Sequence, residues 1–398
     1  MIKLYRNLCE AVVQALGSIF QENRYADKVI EKLLKQNPRW GSRDRRFIAE
    51  MTYDIVRWYR LLGYLSDAEQ YDYWKRMGAW LLLNGQPDLP PWDEFRGLNS
   101  NNVSLKYDQV KTVRKIHESI PDWLDEIGEK ELGSRWDKEI AALNEEAKVV
   151  LRANALKISR DELREQLEEE NILTEAIREY PDALILMERQ NIFNLPSFKE
   201  GLFEVQDAGS QAIASFLNVE PGHRVVDACA GGGGKTLHLA ALMQNKGRII
   251  ALDTEEWKLE ELKKRAKRAG ASNMIETRVI ESSKIIKRLE SSADRLLLDV
   301  PCSGLGVLKR NPDAKWKLTS EFIENIRKTQ QSILNDYSSM LKPGGLMVYS
   351  TCSILPSENE IQVERFLSEK KEFQMVRQKM IFPSQGFDGF YMALLKRV

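Results

Sequence analysis

Cysteine and histidine are scarce in this chain of 398 residues, which has three histidines and four cysteines. The cysteines are Cys9, Cys229, Cys302 and Cys352, and no two of them form a C-x-x-C pair. This scarcity argues against a zinc site. The first residues, MIKLYRNLCEAV, lack the apolar core and cleavage site of a signal peptide. We therefore expect a cytoplasmic protein with reduced thiols and no disulfides.

Long apolar runs and an excess of one charge are also missing. No run is long enough to span a bilayer, so we expect no membrane partner. Lysine and arginine total 59, as do aspartate and glutamate. Because the formal charge balances, any nucleic-acid binding must use local basic patches. The apolar share of 43% is sufficient for a core, and the length predicts two or three domains.

The first part of the chain, residues 1–135, has a helical pattern. Apolar residues recur every three or four positions in NLCEAVVQALGSIF and ADKVIEKLLKQ. The proline-rich stretch QPDLPPWDEFRGLNSNNVSLKY predicts a loop, and IPDWLDEIGEKELG predicts a linker. We expect an all-α domain here.

The remainder of the chain mixes strands and helices. Residues 145–200 predict a small α+β unit, with a helix capped by Ser159 between two strand-like segments. In residues 201–398, the apolar runs HRVVDACA, GRIIALD, DRLLLDV and GLMVYSTC alternate with helical segments. This alternation predicts an α/β fold with a doubly wound, Rossmann-like, largely parallel sheet.

A glycine-rich turn follows the first of those strands, in VVDACAGGGGKTLHLAAL. A phosphate-binding P-loop would need glycine where Cys229 stands, and a G-x-G-x-x-G dinucleotide loop would need glycine where Thr236 stands. The remaining interpretations are a loop that binds S-adenosylmethionine and a plain turn at a helix start. Four consecutive glycines are costly in conformational entropy, which favours the S-adenosylmethionine loop. Its residues are Cys229, Ala230, Gly231, Gly232, Gly233, Gly234 and Lys235.

An acidic residue ends the next apolar run. Asp253 closes GRIIALD, 19 residues after Gly234, which is about the spacing expected for an acid that binds ribose hydroxyls. A surface aspartate with no ligand is the alternative explanation.

Two cysteines also end strand-like runs, Cys302 in LLLDVPCSG and Cys352 in VYSTCS. Groups at the carboxyl ends of strands in an open α/β sheet meet in one crevice, so both thiols and Asp299 can lie together. Such a set suits methylation of cytosine at C5: a thiolate adds to C6, C5 takes a methyl group, and a base removes the C5 proton. The alternative is that they are small buried core residues, as we expect of Cys9 and Cys229.

At these residues the chain closely resembles the Sun-type (RsmB-like) RNA cytosine-5 methyltransferases. The resemblance covers most of the C-terminal half, and RANALK resembles the family's lead-in segment. The segments that carry it are VQDAGSQAIASFL, DACAGGGGKT, LLLDVPCSGLGVLKRNPDAKW, LKPGGLMVYSTCSILPSENE and DGFYMALLKR.

The resemblance implies roles for individual residues. It makes Cys352 the nucleophile, while Cys302 assists release of the product. Asp299 holds the cytosine edge near the methyl donor, and Asp253 binds the ribose. The loop from Ala230 to Lys235 wraps the methionine end of S-adenosylmethionine, with Lys235 near the site. DNA cytosine methyltransferases instead use the Pro-Cys thiol as nucleophile. Without the family resemblance, the roles of Cys302 and Cys352 could therefore be assigned the other way round.

Two departures from the family pattern stand out. The family's loop reads Ala-Pro-Gly-Gly-Lys, whereas Gly231 and Gly232 replace Ala-Pro here. Because proline restricts the backbone, we expect a more mobile loop. The family also has an aspartate that contacts adenine after its third strand. The corresponding stretch here is RVIESSK, and we assign Glu281 to this position.

Two basic segments are candidates for RNA contact. The helical N-terminus stands where related ribosomal enzymes carry a NusB-like RNA-binding domain, and RRFIAEMTYDIVRWYR interleaves arginines with aromatics. A core packed with aromatics and a solvated arginine face explain that stretch equally well. Residues 258–288 hold ten lysines and arginines against four glutamates, a pattern that suits RNA phosphates or a solvated surface helix.

The sequence thus predicts an S-adenosylmethionine-dependent RNA cytosine-5 methyltransferase. Ribosomal RNA of the small subunit (16S) is the expected substrate and transfer RNA the second choice. The sequence indicates no metal and no oligomeric partner. Two other classes stay open: a catalytically silent RNA-binding assembly protein, and a P-loop nucleotidase, which Cys229 disfavours.

Overall fold

The computed structural model describes residues 4–398. The chain forms two compact units. One consists of Met1–Glu145 and Leu308–Ser320, and the other of Glu146–Val307 and Glu321–Val398. A short segment from within the C-terminal half is therefore part of the N-terminal unit.

The N-terminal unit is helical up to residue 145. Its core is formed by apolar side chains that recur on one face of each helix, such as Val12, Leu16 and Ile19 on the first and Ile48, Met51 and Ile55 on the third. The helices are Arg6–Phe20 (α1), Ala26–Gln36 (α2), Ser42–Arg57 (α3), Tyr59–Ser66 (α4), Tyr73–Leu83 (α5), Ser100–Val110 (α6), Arg114–His117 (α7), Asp122–Leu132 (α8) and Trp136–Leu143 (α9).

Two local predictions for this unit were wrong. The expected linker IPDWLDEIGEKELG forms α8, because Leu124 is buried and Gly128 lies so close to Trp136 that a Cβ atom would be 2.3 Å from the indole ring. The expected proline-rich loop is shorter than predicted. It ends at Asn99, whose side chain accepts a hydrogen bond from the Asn102 amide at 2.9 Å and starts α6.

The second unit begins with a small antiparallel sheet, in the order β2-β3-β1-β4. The predicted cap is confirmed: Ser159 accepts from the Glu162 amide at 3.3 Å, and the Glu162 carboxylate accepts from the Ser159 amide at 2.9 Å. The elements are Val150–Ala153 (β1), Arg160–Glu169 (α10), Thr174–Ala176 (β2), Ala183–Leu186 (β3), Pro196–Lys199 (α11) and Phe203–Val205 (β4).

The second unit continues with a seven-stranded sheet. Its strands are Arg224–Asp227 (β5), Arg248–Asp253 (β6), Ile275–Val279 (β7), Ala293–Asp299 (β8), Leu341–Thr351 (β9), Phe373–Ile381 (β10) and Phe390–Arg397 (β11). The helices along this part of the chain are Ala208–Phe216 (α12), Gly234–Leu242 (α13), Glu256–Ala269 (α14), Ser283–Arg288 (α15), Ala314–Lys317 (α16, in the N-terminal unit), Ser320–Tyr337 (α17) and Glu360–Glu369 (α18).

The doubly wound α/β fold is confirmed, with helices on both faces of the sheet. On one face, Val225, Ile249 and Leu297 pack with α12, α13 and α14. On the other, neighbouring residues such as Val226 and Ile250 pack with α15, α17 and α18. The sheet order is β10-β11-β9-β8-β5-β6-β7, and β11 runs antiparallel to both of its neighbours, β9 and β10. The sheet is therefore mixed.

The sheet has a topological switch point between β5 and β8. From β5 the chain first adds β6 and β7 on one side and later adds β8 and β9 on the other, all in parallel. Ligands of open α/β sheets bind beyond the carboxyl ends of the strands at such a point.

None of the helices among residues 4–398 is long and apolar enough to cross a membrane.

Candidate active site

A cavity of about 1080 Å³ lies at the carboxyl ends of the parallel strands. Asp253 and Asp299, the last residues of β6 and β8, both border it. Cys229 and Gly231 of the glycine turn border it as well, and Tyr337 at the end of α17 forms part of the far wall. The cavity thus joins the predicted ribose acid, the glycine loop and the predicted base-holding acid.

The glycine turn connects β5 to α13 through backbone conformations that favour glycine. Gly231 has φ of +53° and Gly233 has φ of +85°. A Cβ atom on Gly233 would also lie 2.5 Å from Cγ of Leu262 on α14. Gly231, by contrast, faces open space and brings bare backbone to the cavity. This turn can therefore approach a ligand without an intervening side chain.

The Asp253 carboxylate is held by backbone amides on two sides. One oxygen accepts from the Gly231 amide and the other from the Glu255 amide, each at 2.9 Å. The Lys258 ammonium lies 3.9 Å away. These contacts fix the carboxylate at the cavity wall, where its remaining lone pairs can accept hydrogen bonds from hydroxyl groups.

Asp299 is held by two side chains. The Lys235 ammonium donates to one carboxylate oxygen at 2.7 Å, and the Ser350 hydroxyl donates to the other at 2.8 Å. Burial alone would lower the pKa of Lys235, but the charge and hydrogen bond of Asp299 raise it instead. Lys235 is therefore an ammonium that keeps Asp299 oriented toward the cavity.

The two expected cysteines lie together. The sulfur atoms of Cys302 and Cys352 are 3.1 Å apart, and the Cys352 amide donates to the Cys302 sulfur at 3.3 Å. The hydrogen bond with Cys352, together with burial, raises the pKa of Cys302 well above its ordinary value. Cys302 is therefore a protonated thiol near neutral pH.

A buried glutamate that the sequence analysis did not identify connects the two cysteine turns. Glu358 is 0% exposed and accepts hydrogen bonds from four donors. The Ser303 amide and hydroxyl donate at 2.8 and 2.6 Å, the Ser353 hydroxyl at 2.5 Å and the Gln330 amide group at 3.0 Å. Because each serine follows one of the cysteines, Glu358 fixes the relative position of the two thiols.

Asp227 is a second buried carboxyl that the sequence analysis missed. It is the last residue of β5, is 1% exposed and accepts from the Thr236 hydroxyl at 2.7 Å. Burial, partly offset by this hydrogen bond, raises its pKa to about 7. The signal available in the sequence was its position at a strand end immediately before the glycine loop.

Two residues and one segment lie differently from the prediction. Cys229 was expected to be a core residue, but it is only partly buried and borders the cavity, as the loop assignment requires. Glu281 is exposed and does not border the cavity, whereas the preceding Ile280 does. Residues 258–288 do not form one helix but are divided among α14, β7 and α15.

Among the residues described, no group of three or more histidines, cysteines or acidic residues is placed to hold a metal ion.

Comparisons with known proteins place these features in one family. The model of the 16S rRNA methyltransferase RsmB/F family matches residues 214–396, and an RsmF/B-like ferredoxin-like domain matches residues 120–193. A probable ribosomal RNA small subunit methyltransferase B of Synechocystis is 34% identical over 90% of this chain and 88% of its own length. Ribosomal RNA small subunit methyltransferase B of Klebsiella pneumoniae is 33% identical over 98% of both chains. The crystal structure of PH0851 has the same fold over both whole chains, with a TM-score of 0.81 and 24% identity.

Proposed function

The chain belongs to the 16S rRNA methyltransferase RsmB/F family, and on that premise we propose that it methylates C5 of a cytosine in structured RNA. The substrate we propose is 16S ribosomal RNA of the small subunit. The observation that carries the proposal is the pair of thiols 3.1 Å apart, with Cys352 two residues after Ser350, which donates a hydrogen bond to Asp299 at the cavity wall.

S-adenosylmethionine is the cofactor of this fold family, and the residues present fit it. The turn at Gly231 offers backbone without a side chain, and Asp253 presents a fixed carboxylate to the same cavity. In the proposed arrangement, Asp253 holds the ribose hydroxyls and the loop from Ala230 to Lys235 holds the methionine end. When bound, S-adenosylmethionine supplies the electrophilic methyl group that C5 takes up.

The protein's part in the reaction begins with a thiolate. Cys352 adds its sulfur to C6, which breaks the C5–C6 double bond and moves an electron pair to C5. Asp299, oriented by Lys235 and Ser350, holds the edge of the base. After methylation a base removes the C5 proton, the double bond forms again, and the bond between C6 and sulfur breaks.

The assignment of the two thiols follows the family resemblance, which makes Cys352 in Thr-Cys-Ser the nucleophile. The hydrogen bond with Cys352, together with burial, raises the pKa of Cys302, which suits a thiol that donates a proton. As a neutral thiol 3.1 Å from the Cys352 sulfur, Cys302 can donate a hydrogen bond to the leaving thiolate. This supports Cys352 as the nucleophile and Cys302 as the residue that assists release.

Structured RNA is the partner that we propose, because the relatives of this chain are named as ribosomal RNA methyltransferases. A cytosine must leave its stack to reach the two partly buried thiols, which costs a few kcal/mol of unstacking. The helical N-terminal unit is the proposed site of further RNA contact, by analogy with its position in related enzymes.

The test uses S-adenosylmethionine with a tritiated methyl group. Wild type, Cys352→Ala, Cys302→Ala and Cys9→Ala are each incubated with 16S RNA, small ribosomal subunits and transfer RNA from cells that lack the enzyme. Cys9 is a matched control, because it is a fully buried thiol in α1. The product is digested to nucleosides, and the labelled base is identified.

We expect label in 5-methylcytosine with wild type and Cys9→Ala, and none with Cys352→Ala. We expect Cys302→Ala to accumulate an RNA adduct that resists denaturation. Label confined to transfer RNA would mean that transfer RNA, and not 16S RNA, is the substrate. Label in another base would contradict the proposed methylation of cytosine C5. Cofactor binding without label in any RNA or particle would favour a catalytically silent assembly protein.

A further inference from the structure

The four-glycine loop has more conformational freedom than any other sequence of its length. Glycine loses more backbone entropy on ordering than other residues, so a loop of Gly231–Gly234 would bind a ligand weakly unless something restricts it. Gly231 donates its amide to the Asp253 carboxylate, and Gly233 donates its amide to the Ala230 carbonyl at 3.0 Å. Groups that bind the loop carbonyls add further restraint.

One such group is the guanidinium of Arg265 on α14. Its Nη1 atom donates to the Gly232 carbonyl at 2.7 Å. Its Nε and Nη2 atoms both donate to one carboxylate oxygen of Glu204, at 3.2 and 2.9 Å. The planar, rigid guanidinium of Arg265 thus bridges the loop and the Glu204 carboxylate.

Glu204 is well suited to anchor this fork. It lies on β4 of the small sheet and is 3% exposed. Its second oxygen accepts from Arg268 at 2.5 Å, and the Arg268 guanidinium lies 4.0 Å from the ring centre of Phe198. The carboxylate is therefore held from two sides before it orients Arg265.

A second arginine, which lies on the small sheet itself, binds the next part of the loop. Arg152 on β1 donates to the Gly234 carbonyl at 2.7 Å and also to the side chain of Gln206. Arg152 is 2% exposed, so water does not compete for these hydrogen bonds. The small sheet thus restrains two of the four glycine carbonyls.

We propose that Arg265 is a positioning residue for S-adenosylmethionine binding, which orders the four-glycine loop by bridging the Gly232 carbonyl to Glu204. It takes the place of the restraint that a proline in the loop would supply. The proposal depends only on the cofactor and is independent of which RNA or which base is methylated.

The test measures the dissociation constant of S-adenosylmethionine by calorimetry for the full-length chain. Arg265→Met removes the donors and keeps the apolar stem. Lys264→Met is the control, because it removes a cation from the exposed neighbouring position of α14. We expect about a ten-fold weaker constant for Arg265→Met, or ~1.4 kcal/mol. We expect Lys264→Met to stay within about two-fold of wild type.

A second variant tests whether Arg265 acts by ordering the loop or by attracting the cofactor through its charge. Gly232 does not have positive φ, and a Cβ there would lie no closer than 3.4 Å to Arg265 Nη1. Alanine at this position restricts the unfolded and unbound loop. If Arg265 acts through order, then Gly232→Ala should recover about two- to five-fold of the affinity lost by Arg265→Met.

Hydrogen exchange provides a readout independent of affinity. Amides of the loop should exchange faster in Arg265→Met than in wild type or Lys264→Met. Equal weakening of cofactor binding by Arg265→Met and Lys264→Met would show a non-specific effect of charge and overturn the proposal. Unchanged affinity in Arg265→Met, or no recovery with Gly232→Ala, would also overturn it. None of these outcomes bears on whether cytosine C5 is the methylated atom, which the product analysis decides.

Discussion

The two thiols of the candidate site depend on one carboxylate for their separation. Glu358 receives the amide and hydroxyl of Ser303 and the hydroxyl of Ser353, the residues that follow Cys302 and Cys352. A charged acceptor with four donors is strongly stabilised in a buried site. The catalytic geometry is thus set by a residue that does not itself border the cavity.

Glu358→Gln should slow methylation while S-adenosylmethionine still binds. One carboxylate oxygen accepts from the hydroxyls of Ser303 and Ser353, and the other accepts from the Ser303 amide and Gln330. The glutamine amide keeps the volume but replaces one of these oxygens with a donor, so two of the four donors lose their acceptor. A displacement of about 1 Å between reacting groups can cost roughly 100-fold in rate. We expect a kcat loss of about 10–100-fold, with the dissociation constant of the cofactor within about two-fold.

Single-turnover methylation and calorimetry test this prediction. Glu364→Gln, a change at an exposed residue of α18, is the control and should behave as wild type. If Glu358 only stabilised the fold, kcat per folded molecule would be unchanged and only the unfolding midpoint would fall. That result would contradict the positioning role.

Asp227 should make the stability of the protein depend on pH. Its pKa is about 7 in the folded chain, above the ordinary value of 3.8, because burial disfavours the charged carboxylate. The folded chain therefore binds this proton more tightly than the unfolded chain. The resulting stability is fully present below about pH 4 and is lost as the pH rises through 7.

Asp227→Asn removes this titration and keeps the shape of the side chain. Denaturant unfolding at pH 5 and pH 8 measures the free energy of unfolding for both proteins. We expect the decrease from pH 5 to pH 8 to be smaller in the variant than in wild type. Parallel profiles for the two proteins would contradict a raised pKa at Asp227.

At the scale of elements, the sequence predicts the central strands and misses those at or near the sheet edges. The runs around β5, β6, β8 and β9 are continuously apolar, because helices cover both faces of these strands. In β7 and β10, most residues are exposed or only partly buried, so the apolar signal is weak. The antiparallel β11 is apolar, but its direction depends on pairing that its sequence does not contain.

The residues of the candidate site also fall into two groups, those that the sequence predicts and those that it misses. Asp253, Asp299, Cys302 and Cys352 lie at strand ends, where local sequence predicts their meeting at one edge of the sheet. The supports of the site come from distant parts of the chain. Arg265 binds Glu204, which is 61 residues away in the sequence, and Ser303 binds Glu358, which is 55 residues away. Such pairs follow from tertiary packing, so local patterns could not reveal them.

At the scale of the whole molecule, the N-terminal unit is discontinuous in sequence. The segment Leu308–Ser320 follows the Pro-Cys-Ser turn by a few residues yet belongs to the helical unit. The Asp313 carboxylate accepts from the Ala26 amide at 3.0 Å, which satisfies the start of α2. The packing of this unit therefore includes residues that follow the Pro-Cys-Ser turn in the sequence.

Trp316 is the main apolar anchor of that segment, and its loss should destabilise the helical unit. Its indole Nε1 donates to the Val56 carbonyl at 2.7 Å, and its ring lies edge-on to Tyr59 with centroids 5.7 Å apart. A fully buried tryptophan costs about 3–5 kcal/mol on truncation to alanine. Because Trp316 is half-buried, we expect roughly 2–4 kcal/mol for Trp316→Ala.

Hydrogen exchange locates this loss within the molecule. Peptides that cover α3 and α4 should exchange faster in Trp316→Ala, because Val56 and Tyr59 lose their partner there. Trp257→Ala is the matched control, since that tryptophan is 65% exposed and its removal should cost less than about 0.5 kcal/mol. Unchanged exchange in α3 and α4 would mean that the helical unit folds without the inserted segment.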